Sequence, residues 1–130
     1  MSPPRRRQAL TLSEEEFSVL VQQAIERLPP RYAALLTNVA VVVEDEPPRD
    51  VLDDFELESD NDLLGLYHGA SLDRESFFQP GGNLPARISL YRSPLLRLCR
   101  TRKDLIQEIR DTLVHELGHH VGLDDEDMPY

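Results

Sequence analysis

Apolar residues recur at helical spacing through Phe17, Leu20, Val21, Ala24, Ile25 and Leu28, and the run stops at Pro29-Pro30. Positions three and four apart share one face of a helix, so the segment predicts an amphipathic helix with a buried stripe. Ser13, followed three positions later by Glu16, has the spacing of a capping box and marks its start. Residues 31–36 predict a short second helix. Residues 39–43, Val-Ala-Val-Val-Val, are β-branched and too few for a helix, which predicts a strand buried on both faces. Pro47-Pro48 ends it. Residues 47–62 read as an acidic loop with a weak strand signal at Val51-Leu52, and residues 63–67 as a second strand closed by His68-Gly69. Residues 71–85, which contain Pro80-Gly81-Gly82-Asn83, predict an irregular loop. Arg87-Ile88-Ser89-Leu90-Tyr91 alternates polar and apolar, the pattern of a half-exposed strand, and is expected at the sheet edge.

Pro94 turns the chain, residues 95–98 predict a helical turn, and residues 102–121 predict a long helix. With His115 as origin, Ile106, Ile109, Leu113, Leu117 and Val121 fall between about 120° and 240° around that helix, while His119 falls near 40°. The apolar stripe can therefore pack on a sheet while the two histidines face a cleft. The order helix, strands, helix predicts an α+β fold, a small mixed β-sheet flanked by an N-terminal helix and a C-terminal metal-binding helix. Residues 1–12 read as a flexible basic tail and residues 13–130 as a single domain.

The chemistry is concentrated in His115-Glu116-Leu117-Gly118-His119-His120-Val121-Gly122-Leu123-Asp124-Asp125, which has the form H-E-x-x-H-x-x-G-x-x-D. Histidines four apart on a helix place their Cβ atoms about 5–6 Å apart, close enough for two imidazoles to converge on one tetrahedral cation. Glu116, about 100° further round, is placed to reach a water on that cation without being a ligand. Gly122 can take the left-handed conformation that ends a helix, and the reversed chain can bring Asp125 to the same metal; Asp124 is its rival. Three protein ligands with one open position is the catalytic arrangement of zinc, whereas structural sites are usually closed by four residues. H-E-x-x-H arises by accident in a chain of 130 residues on the order of a few times per thousand, so a merely solvated pair of histidines is the weaker account.

Composition narrows the field. A chain of 130 residues that is 40% hydrophobic suits one compact domain with a modest core. No apolar run approaches the 18 or so residues of a membrane span, and the start lacks a signal peptide's apolar segment, so a soluble cytoplasmic protein is expected. The lone Cys99 cannot form an internal disulfide and is expected to be a small buried side chain. A formal net charge of −10 disfavours nucleic-acid and anionic-membrane partners. Residues 44–62 hold ten acids against one arginine, while Arg87, Arg92, Arg97, Arg100, Arg102 and Lys103 have no acid among them. Solvated loops with mutual pairing are the expectation, and an acidic rim selecting cationic substrates is the sharper alternative.

The segments Leu63-Leu64-Gly65-Leu66-Tyr67-His68-Gly69, Leu84 through Tyr91 and Val114 through Gly122 together resemble the small bacterial minimal zincins. That resemblance implies a stripped-down zincin fold, with zinc on His115, His119 and Asp125 and Glu116 as general base. A metal-activated water beside a general base makes a peptide or protein the expected substrate. Tyr67, His68 and Tyr91 are candidates to stabilise an oxyanion, although packing is the commoner role for each. An extended peptide is expected to add to a sheet edge, at the strand of residues 87–91. His120 lies nearer the apolar stripe than the ligands and is expected to pack or hydrogen-bond. Glu108 and Asp111 lie within about 40° of His115 and are either orienting acceptors or a solvated face. Two other functions are open: a non-catalytic zinc-binding interaction module, and a metal-dependent endoribonuclease. The His115, His119, Asp125 spacing also resembles the small bacterial endoribonucleases of ribosomal RNA maturation. Glu116, where those proteins carry glycine, and the acidic charge argue against the latter.

Overall fold

The computed structural model describes residues 10–54, 63–69 and 86–121. Its first helix, α1 (Glu14–Glu26), begins where the capping box predicts: Ser13 Oγ accepts from the Glu16 amide at 3.1 Å and the Ser13 amide donates to Glu16 Oε1 at 3.2 Å. The same glutamate uses Oε2 to accept from Arg102 at 2.6 Å, tying α1 to the start of the last helix. Those donors hold the Glu16 carboxyl below its ordinary range, the Ser13 amide contributing most and Arg102 next. Then follow α2 (Pro30–Leu35), a 3₁₀ turn (Leu36–Asn38), β1 (Val39–Glu44) and α3 (Arg49–Asp54). The chain continues through β2 (Gly65–His68), β3 (Ala86–Tyr91), α4 (Arg92–Leu98) and α5 (Arg102–His120). The predicted α+β architecture, with a small mixed sheet between an N-terminal and a C-terminal helix, is the one observed.

The strands run in the order β1-β3-β2, with β1 parallel and β2 antiparallel to β3. Register and alternation give each face its residues. Gly65 and Tyr67 lie opposite Leu90 and Ile88 on one face, and Leu66 and His68 lie opposite Ser89 and Arg87 on the other. On the first face Ile88 and Leu90 join Phe17, Leu20, Val21 and Ala24 of α1 and Leu105, Ile109, Leu113 and Leu117 of α5 in one buried cluster. Burying each such large apolar side chain stabilises the fold by roughly 1.5–3 kcal/mol before the entropy of ordering it is set against the gain. Cys99 joins that cluster, as expected.

Two strand assignments change places. The β-branched run expected to be buried on both faces is an edge among the described residues, with Val42 39% and Val43 37% exposed. The alternating strand expected at the edge is the central one, and its polar positions Ser89 and Tyr91 are fully buried. Alternation reports which face is apolar; it does not report whether the polar face is later covered. Residues 51 and 52 are helical, not extended. The Val51 and Leu52 amides bond back to the Pro48 carbonyl, Leu52 is buried, and Arg49 pairs with Asp53 one turn on at 3.4 Å.

The uneven charges pair with one another, as the simpler expectation had it: Asp45 with Arg92 at 2.9 Å and Glu46 with Arg97 at 3.2 Å. Arg92 also donates to the carbonyl of Leu12, which is buried. Residues 1–9 of the tail expected over 1–12, residues 55–62 of the acidic loop, the loop 71–85, Gly122, Asp124 and Asp125 lie outside the described residues. Leu12 is not part of a loose tail: it is buried in the core cluster. Among the described residues no helix is long and apolar enough to cross a membrane.

Candidate metal centre

The long helix α5 starts on Thr101, whose hydroxyl accepts from the Asp104 amide at 3.0 Å. It is held to the sheet by Leu105, Ile109, Leu113 and Leu117. With the apolar stripe docked, Glu116 reaches the Tyr67 amide of β2, and His115 and His119 stand beside it. Among the described residues these three form a cluster whose possible ligand atoms all lie within 4.8 Å of one another.

The two Nε2 atoms stand 3.3 Å apart, with the rings edge-to-face at 75°. Two nitrogens each 2.0–2.1 Å from a tetrahedral zinc would be separated by about 3.3 Å, so the two imidazoles are spaced to hold such an ion. The donor set therefore fits a metal of zinc's size and preference. Glu116 is 8% exposed, and its Oε1 accepts the Tyr67 amide at 2.8 Å. A hydrogen bond from a backbone amide to a carboxylate is among the stronger neutral-to-charged bonds, and it aims this side chain.

Tyr67 reaches α5 a second time. Its hydroxyl lies 2.9 Å from His120 Nδ1, and the two rings are 5.3 Å apart and tilted by 56°. His120 is 3% exposed, and burial holds its pKa below the ordinary imidazole value, while burial pushes the Tyr67 phenol up. Both groups are therefore neutral near pH 7, and a neutral ring can accept at Nδ1 from the phenol while Nε2 keeps its proton.

A cleft of about 420 Å³ opens beside the cluster, between Leu63, Leu64 and Gly65 on one wall and Glu108, Asp111, Thr112, His115 and Glu116 on the other. Gly65 sets its width, because a Cβ there would lie 2.7 Å from Thr112 Cγ2 and 3.1 Å from the Ser89 carbonyl. Asp111 is engaged by Gln107 at 3.0 Å and by Arg110 at 3.0 Å. Burial, and then the charge of Asp111, raises the pKa of Glu108.

Residues 36–130 of the chain match the zincin-like metallopeptidase family. The chain belongs to that family. This zincin is also similar to a solved structure, a conserved hypothetical protein from Thermo thermophilus, at 27% identity and a TM-score of 0.54. The similarity covers 84% of this chain and 94% of that one. No curated protein matches it. The family implies a metal, and the His115, Glu116 and His119 cluster is where the zincin's structure places suitable donors.

The motif therefore brings together the two histidines and the glutamate, while Asp125 and its rival Asp124 fall outside the described residues. Of the three candidates for oxyanion stabilisation, only Tyr67 lies on the α5 side of the sheet. His68 and Tyr91 occupy alternate positions on the other side. His120 makes the hydrogen bond expected of it. Neither the Tyr67 amide nor Gly65 was legible as a site residue. The first acts through its backbone, and the second through the absence of a side chain.

Proposed function

We propose that this zincin is a zinc-dependent peptidase that hydrolyses peptide bonds, with His115, His119 and Asp125 as ligands and Glu116 as general base. Family membership and the 3.3 Å approach of the two imidazole nitrogens support zinc at this place. When bound, zinc supplies Lewis acidity and a lowered pKa for water, to about 7 in catalytic sites. The rest falls to the chain. His115 and His119 would hold the metal beside the cleft. The carboxylate of Glu116 takes a proton from the attacking water and delivers it to the leaving amine. The Tyr67 amide keeps that carboxylate turned toward the histidines.

The substrate strand belongs on β2 rather than on β3, because β3 is paired on both sides. The Tyr91 amide donates to the Leu64 carbonyl at 2.9 Å, which makes residue 64 inward-bonding. Antiparallel alternation then turns the backbone groups of Gly65 and Tyr67 outward, as the Tyr67 amide on Glu116 illustrates. An extended peptide pairing with Gly65 lies across the cleft floor beside Glu116.

The observation that carries this reading is the buried glutamate one position from a histidine pair spaced for a tetrahedral metal. Its test is zinc-loaded protein incubated with a library of internally quenched peptides, with bound zinc measured by atomic emission. Hydrolysis is expected in the wild type and is expected to fall by at least about 10³-fold in Glu116→Gln while one zinc per chain is retained. A wild type that holds zinc and cleaves nothing identifies a non-catalytic binding module instead. A Glu116→Gln variant as active as the wild type removes the general base.

A further inference from the structure

The Glu116 carboxylate is set by a residue pair away from the motif's two histidines. Glu116 and His120 lie one turn apart on the same face of α5, about 6 Å between Cβ atoms. A single residue of β2 meets both: the Tyr67 amide donates to Glu116 Oε1 at 2.8 Å, and the Tyr67 hydroxyl lies 2.9 Å from His120 Nδ1. We propose that Tyr67 and His120 are positioning residues, a two-point clasp that fixes the edge strand against the metal helix and so fixes the orientation of the Glu116 carboxylate. The inference rests on the reading of Glu116 as general base.

The need for such a clasp follows from the fold. Among the described residues β2 is four residues long and has a strand partner on one side only, the kind of element that opens locally at small free-energy cost. Its outward amide at residue 67 reaches Glu116 only while the strand keeps its place along α5. Sliding β2 along the helix would break the amide bond, and the hydroxyl bond to the next turn resists that slide. The lateral approach is already bounded by Gly65 against Thr112, so the clasp supplies the constraint along the helix axis that close packing does not. His120 is buried, and an imidazole placed there for bulk alone would leave its ring nitrogen desolvated without a partner; the phenol supplies one.

The decisive measurement uses metal-free protein, so it does not depend on any activity. In ¹H–¹⁵N spectra the residue 67 amide is expected to resonate downfield and exchange slowly, as an amide on a buried carboxylate does. Tyr67→Phe keeps the ring and deletes one oxygen, and His120→Phe keeps an aromatic ring and deletes the acceptor. Each is expected to move that amide upfield and speed its exchange at least ten-fold. His120→Asn, whose Oδ1 lies near the former Nδ1, is expected to hold exchange within about three-fold of wild type. With zinc, Tyr67→Phe is expected to bind metal within about three-fold of wild type and to lose about ten-fold in kcat with KM within two-fold.

An unchanged residue 67 amide in both phenylalanine variants overturns the clasp, as does an Asn variant no better than Phe. A lost amide bond with unchanged kcat overturns the positioning role. Should Tyr67→Phe fail to fold by circular dichroism, the His120→Phe and His120→Asn pair carries the same comparison. If no peptide is ever cleaved, the peptidase reading fails while the amide data still decide the clasp.

Discussion

Replacing Gly65 by alanine tests whether the close approach of α5 to β2 is a designed fit. The added Cβ would sit 2.7 Å from Thr112 Cγ2 and 3.1 Å from the Ser89 carbonyl oxygen. Carbon atoms in contact rest near 3.5–4.0 Å, so the methyl group demands an opening of about 1 Å between strand and helix. Thr112 is short and β-branched, and its stiff side chain passes the strain to the backbone of α5. Overpacking of this kind costs about 1–3 kcal/mol. Losing glycine's freedom in the unfolded chain offsets roughly 0.4–1 kcal/mol of it. The net expectation is a destabilisation of about 1–2 kcal/mol, read as a lower urea midpoint at unchanged m-value and a Tm lower by about 3–10 °C. Thr112→Ser removes the clashing methyl. In a double-mutant cycle with Gly65→Ala it is expected to return about 1 kcal/mol as coupling energy. A Gly65→Ala protein as stable as wild type, or a cycle with coupling below about 0.3 kcal/mol, refutes the argument that this glycine sets the cleft width.

Other expectations are independent of the site. Ser13→Ala removes the hydroxyl half of the capping box, leaving the backbone amide of residue 13 on Glu16, and is expected to destabilise the fold by about 1 kcal/mol in urea titrations, with Ser13→Thr restoring most of it. Burial pushes the Cys99 thiol up to about 11 from an ordinary 9.0, so at pH 8 native thiolate is about 100-fold scarcer than in the unfolded chain. Reaction with a disulfide reagent at pH 8 is expected to be at least that much slower in native protein than in urea; equal rates would count against a buried thiol. The sign for stability follows. The unfolded chain releases that proton near 9 and the folded chain near 11, so this group's contribution is complete below pH 9 and is lost as pH rises between those values.

Much of the architecture was legible because it is local. The capping box of Ser13 and Glu16, the apolar stripes of α1 and α5, and the four-residue step from His115 to His119 are all set by one helical period. The histidine spacing alone brought two nitrogens to the separation a tetrahedral ion requires. The strand order was not legible. A β-branched run such as residues 39–43 fits either a central or an edge position, and the outcome depended on which strand found two partners.

The clasp at Tyr67 and the narrow approach at Gly65 likewise join residues far apart in the chain, 49 positions separating Tyr67 from Glu116. From its own residues the chain determined which helix faces are apolar and which histidines share a face, since turn geometry needs only near neighbours. The tertiary structure decided which strand edge meets those histidines and which amide holds the glutamate. Pairing across a sheet and packing between layers are contests among distant segments, and they are settled by burial and hydrogen bonding of the whole rather than by any local pattern.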